Sequence, residues 1–177
     1  MNRAAARLHL HQRNHAATDA CWILSGRKKS MVLASIGSVL RNKGHEICSV
    51  APGATVYDAI ALMAAKSVAA VLVISEGALV GIISARDYGR KVILKGKSSK
   101  DVRVQEIMTT SLVTVTPETT VLDAMELMTR HHIRHLPVLV DGKLDGIVSM
   151  GDLVGEVISG QAFTIDQLQK YVGHIPV

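Results

Sequence analysis

The sequence is poor in aromatic residues, has two cysteines and lacks long apolar runs, and each shortage excludes a class of protein. Phe, Trp and Tyr make up 3% of the 177 residues, too few for a surface that binds nucleic acid by stacking bases. Apolar runs such as 68–74 are far shorter than the ~20 residues of a membrane-spanning helix, so no membrane partner is expected. Cys21 and Cys48 form no CxxC pair, which favours a reducing compartment such as the cytoplasm.

The basic charge is concentrated at the start of the chain. The formal net charge is +5, and residues 1–30 contain six Arg and Lys residues against a single acid, Asp19. This segment is interpreted as a disordered arm, a targeting segment or sequence that is not native. A targeting segment would place the protein in the mitochondrial matrix. Because the rest of the chain is nearly balanced, nucleic acid is not the expected partner.

The middle of the chain is an internal repeat. Thr114–Leu153 aligns without gaps on Ser49–Tyr88, so that Pro117 corresponds to Pro52 and Asp152 to Asp87. A repeat of this kind predicts two similar structural units that pack together.

Each copy predicts the same order of elements: a strand, a helix, two strands joined by a tight turn, and a second helix. Thr55 and Thr120 occupy N-cap positions, and Asp58 and Asp123 follow three residues later, as in a capping box. The methionines at helical spacing are interpreted as core residues. The predicted strands span 46–50, 69–74, 79–84, 112–115, 136–140 and 144–149. Further helices are predicted over 32–40, with Gly44 as its C-cap, and over 86–94, 151–159 and 165–171.

Glycines mark two kinds of position in each copy. Glu76-Gly77 and Asp141-Gly142 are typical of tight hairpin turns. Gly81 and Gly146 fall inside strands, where glycine indicates close approach of another backbone or a ligand.

Both copies close on Ser-x-x-Asp, at 84–87 and 149–152. Together with the segments Ile133–Val138, Asp141–Leu153 and Gly81–Tyr88, this pattern resembles the cystathionine-β-synthase (CBS) domain, a tandem pair of which is called a Bateman module. The resemblance covers residues 47–159 and is closest in character to small stand-alone CBS pairs. It implies an α/β (α+β) fold in which two β-α-β-β-α units pack by pseudo-twofold symmetry. The expected divisions are 1–30, a basic segment; 31–95, the first unit with a leading helix; 96–101, a linker; and 102–177, the second unit with a C-terminal helix.

The resemblance also implies a ligand. Such pairs bind AMP, ADP, ATP, NAD or S-adenosylmethionine in the clefts between units, and AMP is the ligand expected first. The acid of Ser-x-x-Asp is expected to hold the ribose, because a carboxylate accepts two hydrogen bonds from a vicinal diol. For Asp87 and Asp152 the alternative is a helix cap and nothing more. The candidate nucleotide-binding residues are Ser84, Arg86, Asp87, Thr114, Ile133, Arg134, His135, Pro137, Ser149 and Asp152.

The two copies differ where phosphate would be recognised. Arg134 and His135 correspond to Ala69 and Ala70, which cannot bind phosphate, whereas Arg86 corresponds to Gly151. One cleft is therefore expected to be the better nucleotide site, with Arg134 and His135 contributing. The alternative for Arg134 is a solvated surface charge.

No residue is expected to be catalytic, because the sequence contains neither a P-loop nor a GxSxG motif. A metal site is not expected either, since no carboxylate or cysteine completes a ligand set around His131, His132 and His135.

The sequence therefore predicts a non-enzymatic sensor that binds an adenosine nucleotide, forms a homodimer and signals to an unidentified regulated protein. The alternative function is nucleic-acid binding through the basic segment 1–30.

Overall fold

A computed structural model describes residues 34–160 of the chain. The helices are α1 (Ile36–Lys43), α2 (Val56–Lys66), α3 (Ala85–Lys91), α4 (Val104–Ile107), α5 (Val121–Arg130) and α6, which is helical from residue 150 to residue 160; the strands are β1 (Ser49–Val50), β2 (Ala70–Ser75), β3 (Ala78–Ser84), β4 (His135–Val140) and β5 (Lys143–Ser149). A 3-10 turn follows α3 at Ile93–Lys95. The basic segment 1–30 and the helix expected at 165–171 lie outside the described residues.

The two copies build matching sheets. In the first, β2 pairs in parallel with β1 and antiparallel with β3; in the second, β4 pairs antiparallel with β5. Val115 forms an isolated parallel bridge to Val138, and in the repeat these two residues are the equivalents of the Val50–Val73 pair of the first sheet. The predicted fold class is confirmed, but the leading strand of each copy is shorter than predicted: 46–50 shrinks to Ser49–Val50, and 112–115 to the single bridge at Val115.

Local signals fix where the helices begin. Thr55 accepts a hydrogen bond from the Asp58 amide and the Asp58 carboxylate accepts one from the Thr55 amide, so the predicted capping box is complete. At the start of α5 the Thr120 side chain accepts a hydrogen bond from the Asp123 amide, which confirms the predicted N-cap. The predicted core faces are buried at three positions of each helix: Val56, Ala59 and Met63 in α2, and Val121, Ala124 and Met128 in α5.

Both hairpin turns have the conformation that their sequences predict. Glu76 and Gly77 have φ of 50° and 78°, and Asp141 and Gly142 have φ of 48° and 76°. Two consecutive positive φ angles are typical of a type I′ turn, whose twist matches that of the strands it joins.

The short helices α1 and α4 each pack against the copy that does not follow them directly in the sequence. α1 precedes the first copy in the chain, yet Ile36, Val39 and Leu40 are buried in the core cluster of the second copy. α4 precedes the second copy, yet Val104 and Ile107 are buried in the core cluster of the first. The division of the chain by sequence order therefore differs from the way in which its segments pack.

Equivalent backbone hydrogen bonds hold the exchanged segments. The amide of Ile36 donates to the carbonyl of Thr119 at 2.9 Å, and the amide of Val104 donates to the carbonyl of Ala54 at 2.9 Å. At the next position of each helix, Gly37 donates to Pro117 at 2.9 Å and Gln105 donates to Pro52 at 3.0 Å. α1 and α4 are thus structural equivalents, in which Ile36 corresponds to Val104 and Gly37 to Gln105.

The strand glycines lie directly beneath these exchanged segments. A Cβ atom at Gly81 would lie 2.7 Å from Met108 Sδ and 3.2 Å from the Thr109 carbonyl oxygen, and one at Gly146 would lie 3.0 Å from Leu40 Cδ2. Close approach of another backbone is confirmed at Gly81, where the Thr109 carbonyl lies near, whereas at Gly146 it is the Leu40 side chain that approaches.

Gly81→Ala should destabilise the protein, because the Thr109 carbonyl that the new methyl group meets belongs to a residue fixed by two hydrogen bonds to Ile82. We expect the free energy of unfolding in urea to fall by about 1–3 kcal/mol. Gly89→Ala is the control: it lies inside α3 with nothing within 4 Å of the added methyl group, and should be neutral or stabilising by up to ~1 kcal/mol. Equal effects of the two substitutions would contradict the packing argument.

Candidate functional site

A cavity of about 750 Å³ is lined by residues of both copies. From the first copy come Ala69, the end of β3 and residues along α3; from the second come residues within the segments 109–113 and 132–137. Seven predicted binding residues line it: Ser84, Arg86, Asp87, Ile133, Arg134, His135 and Pro137. The other three, Thr114, Ser149 and Asp152, are not among the lining residues.

The cavity therefore combines features that the sequence places in different copies. Arg134 and His135 share a copy with Ser149 and Asp152, but in the cavity they join the Ser-x-x-Asp of the first copy. The antiparallel β4–β5 hairpin pairs His135 with Ser149, while the start of β4 and the residues before it line the cavity beside the first unit.

Asp87 is held by three donors. Its Oδ2 accepts hydrogen bonds from Ser84 Oγ at 2.6 Å and the Ser84 amide at 3.1 Å, and its Oδ1 lies 2.9 Å from Lys91 Nζ. Burial by itself would raise the pKa of Asp87, but the hydrogen bonds from Ser84 and Lys91 outweigh it and hold the pKa below its ordinary 3.8. The carboxyl group is therefore a fixed anion. It caps α3 as the alternative interpretation expects, and it also faces the cavity.

Cationic side chains surround this carboxylate. Arg86 lines the cavity and donates from Nη1 to the His132 carbonyl at 3.4 Å, which connects the two copies. Arg90 and Lys91 also line the cavity, although sequence reasoning missed them. The available signal was their spacing on the predicted helix 86–94, where Arg90 follows Arg86 by four residues and so shares its face.

Apolar side chains line the cavity as well. Ile82 comes from β3, Leu112 and Val113 come from the leading segment of the second unit, and Ile133 and Pro137 flank Arg134 and His135. A cavity with an apolar part and a few charged groups can bind a flat ring together with an anionic group. Thr109 and Ser111, which were also missed, add two hydroxyl groups to the lining.

His135 is half-buried. Burial lowers its pKa from the ordinary 6.5; the charge of Asp152 opposes this, and the charges of Lys43 and Arg134 reinforce it. The imidazole is therefore expected to be neutral at neutral pH, with one ring nitrogen as a hydrogen-bond donor and the other as an acceptor.

The second Ser-x-x-Asp has a different environment. Oδ2 of Asp152 accepts from the Ser149 amide at 2.7 Å, from Ser149 Oγ at 2.9 Å and from Lys43 Nζ at 2.7 Å. Burial by itself would raise the pKa of Asp152, but the hydrogen bonds from Lys43 and Ser149 outweigh it and keep the pKa below 3.8. Lys43 belongs to α1, so a segment distant in sequence supplies the positive charge.

Residues 34–160 contain no group of three or more His, Cys, Asp or Glu side chains arranged to hold a metal ion. Over the same range no helix is both long enough and apolar enough to cross a bilayer.

The arrangement matches a known family. The profile of the CBS domain matches residues 44–91 and again residues 104–159. The chain belongs to the CBS-domain family. The two matches confirm the predicted tandem pair, and each spans one of the repeats.

Two similar proteins, one known by sequence and one by structure, are described as having CBS domains. The chain is 47% identical over 123 residues to the mitochondrial CBS domain-containing protein CBSX3 of Arabidopsis thaliana, a match that covers 67% of this chain and 60% of that protein. The chain thus spans less than two thirds of that relative. A solved structure of a protein with CBS domains from Burkholderia ambifaria MC40-6 is 45% identical, with a TM-score of 0.70 over 71% of this chain and 95% of that one.

A more distant likeness concerns the fold alone. The CBS domain pair of protein MJ0100, solved in complex with 5′-methylthioadenosine and S-adenosyl-L-methionine, is 21% identical, with a TM-score of 0.63 over 72% of this chain and 98% of that one.

Stability should fall in two stages as the pH is lowered. The fold favours neutral His135, so its contribution is complete above pH 6.5 and is lost as the unfolded chain takes up the proton below that value. The fold also favours ionised Asp87 and Asp152, whose contributions are complete above about pH 4 and are lost as the pH falls through their lowered pKa values. Thermal melts between pH 8 and pH 3 measure both stages.

Two variants separate the stages. His135→Gln should reduce the upper stage and leave the lower one, and Asp152→Asn should reduce the lower one. An upper stage that is unchanged in His135→Gln would contradict the role given to His135.

Proposed function

We propose that this chain is a regulatory module that binds an adenosine nucleotide in the cavity and passes the binding state to a partner protein. The observation that carries the proposal is the meeting of three features in one cavity: the Asp87 carboxylate, the Arg134–His135 pair and an apolar lining. The carboxylate suits a ribose diol, the Arg134–His135 pair suits a phosphate, and the apolar lining suits an adenine ring. CBS pairs are regulatory and often bind adenosine ligands, which supports the same assignment.

The charges of the cavity favour a phosphorylated ligand. Among residues 34–160, Arg86, Arg90, Lys91 and Arg134 line it together with a single carboxylate, Asp87, which Lys91 already neutralises. AMP, ADP, ATP and NAD carry phosphate groups that these cations attract. S-adenosylmethionine carries a sulfonium cation in the corresponding part of the molecule and should bind less tightly. AMP is the first ligand to test, and the number of cations also suits ADP and ATP.

The proposal is for a binding protein and not an enzyme. Proteins made of CBS domains alone are generally regulatory rather than catalytic. Ligand binding between the two units would favour one arrangement of the pair, and a partner with different affinity for the two arrangements would respond.

Isothermal titration with AMP, ADP, ATP, NAD and S-adenosylmethionine tests the ligand. Arg134→Ala should weaken binding of the phosphorylated compounds about 10- to 100-fold, because a hydrogen bond to a charged group contributes roughly 1.5–3 kcal/mol. Arg130→Ala is the matched control, since Arg130 is exposed, pairs with Glu126 on its own helix and is not among the cavity-lining residues.

A second matched pair separates ligand contact from helix capping. Asp87→Asn and Asp152→Asn each remove the carboxylate from a Ser-x-x-Asp cap, but only Asp87 lines the cavity. Asp87→Asn should weaken binding about 10-fold or more, whereas Asp152→Asn should leave it nearly unchanged. Equal losses would indicate that capping alone matters, and the absence of binding by all five compounds at millimolar concentration would refute the proposed function.

Self-association is proposed on separate grounds. Ile93, Leu94, Val154 and Ile158 are 56%, 79%, 40% and 61% exposed, and Ile158 is the repeat equivalent of Ile93. Exposed apolar residues at equivalent positions on two units suit a homodimer whose halves meet through both units.

Light scattering measures the expected dimer. Leu94→Glu should weaken dimerisation at least about 10-fold, because it places a charge in the apolar contact. Val140→Glu, at an exposed apolar residue on β4, is the control and should leave the dimer intact. A wild-type protein that stays monomeric at every concentration would refute the proposal.

The compartment is also a proposal. The mitochondrial name of the Arabidopsis relative and the basic segment 1–30 together support the mitochondrial matrix as the alternative to the cytoplasm. Nucleic-acid binding depends on the same segment, which lies outside the described residues, and stays a prediction from sequence.

A further inference from the structure

The second Ser-x-x-Asp is occupied by a part of this chain. Lys43 Nζ lies 2.7 Å from Asp152 Oδ2, with the two side chains 31% and 25% exposed. Beside them, Asn42 Nδ2 donates to Glu156 Oε2 at 3.2 Å. The last turn of α1 therefore docks on the first turns of α6 through two polar contacts.

Comparison of the two units shows why a distant segment contacts only one of the two aspartates, although Asp87 and Asp152 are similarly exposed, at 20% and 25%. α4 ends at Ile107, after which the chain extends and Thr109 pairs with Ile82. α1 instead continues to Lys43. When the correspondence of Ile36 with Val104 is continued along the chain, Lys43 corresponds to Ser111, which lines the open cavity.

The source of the lysine that pairs with the aspartate also differs between the two units. In the first unit Asp87 is neutralised by Lys91, one turn later on the same helix. In the second unit the residue corresponding to Lys91 is Glu156, which would repel Asp152 at this spacing. The neutralising cation therefore comes from α1.

We propose that Lys43 is a built-in occupant of the cleft at Asp152, which leaves each chain with the Asp87 cavity as its open ligand site. Both aspartates pair with a lysine, but the lysine at Asp87 belongs to the same helix and lines the cavity with it, whereas the lysine at Asp152 comes from a distant segment. At Asp152 the chain itself therefore takes the place of a ligand. The number of ligands per chain depends on the proposed function; the occupation of Asp152 by Lys43 does not.

Zero-length cross-linking tests the occupation directly. A carbodiimide joins an amine and a carboxylate that are in contact, so the full chain should yield a Lys43–Asp152 amide that mass spectrometry of its peptides detects. Lys66 and Glu46, 2.8 Å apart on the surface, provide the positive control for the reagent. A Lys66–Glu46 amide without the Lys43–Asp152 amide would overturn the proposal.

A substitution of the lysine tests the consequence for binding. Lys43→Ser should leave AMP binding in the Asp87 cavity within about threefold, because Lys43 is not among the cavity-lining residues. Two AMP molecules bound per wild-type chain would overturn the proposal.

The two tests also separate this inference from the proposed function. A Lys43–Asp152 amide in a chain that binds none of the adenosine compounds would refute the proposed function and support the occupation. One AMP per chain without that amide would support the function and overturn the occupation.

Discussion

The crosswise docking of α1 and α4 is the constraint on which the rest of the structure depends. Neither helix packs in the repeat that follows it in the sequence. Each completes the core of the other repeat, where backbone hydrogen bonds such as Ile36–Thr119 and Val104–Ala54 fix its position. Ile36 and Leu40 are 0% and 1% exposed in the second core, and each contributes roughly 1.5–3 kcal/mol by burial. The second repeat is therefore complete only with α1, which lies before the first repeat, and the first repeat is complete only with α4, which lies between the two.

Most of the fold could be predicted because its signals are local. The Thr55 cap, the Asp141-Gly142 turn and the mid-strand glycines each depend on a few neighbouring residues, and the gapless repeat doubles the evidence for each. The exchange of α1 and α4 could not be predicted, because equivalent partners exist in both copies and nothing in a single amphipathic helix says which core it enters. The lengths of the leading strands were overestimated for a related reason. The length of a parallel strand is set by how many of its residues pair with the neighbouring strand, and the sequence of the strand alone does not show this.

The site was only partly predictable for the same physical reason. Seven of the ten candidate residues line the cavity, since the end of β3 and α3 of the first unit face the start of β4 and the residues before it. The contact between Lys43 and Asp152 joins α1 to α6 across most of the described chain and has no signal in the spacing of the sequence. Arg90 and Lys91 were missed because charged residues on a short helix usually indicate a solvated face.

Two similar units can differ in function because the Ser-x-x-Asp group has a structural role in both. Ser149 and Asp152 cap α6 through the same hydrogen bonds with which Ser84 and Asp87 cap α3. Repetition of the motif therefore reports on folding, and by itself it cannot separate a ligand site from a helix cap. The residues that distinguish the units are those without such a role: Arg134 in place of Ala69, Arg86 in place of Gly151, and Ser111 in place of Lys43. Because these side chains are exposed, or partly exposed, and make few structural contacts, they can change the chemistry of one cleft without loss of the scaffold that both clefts share.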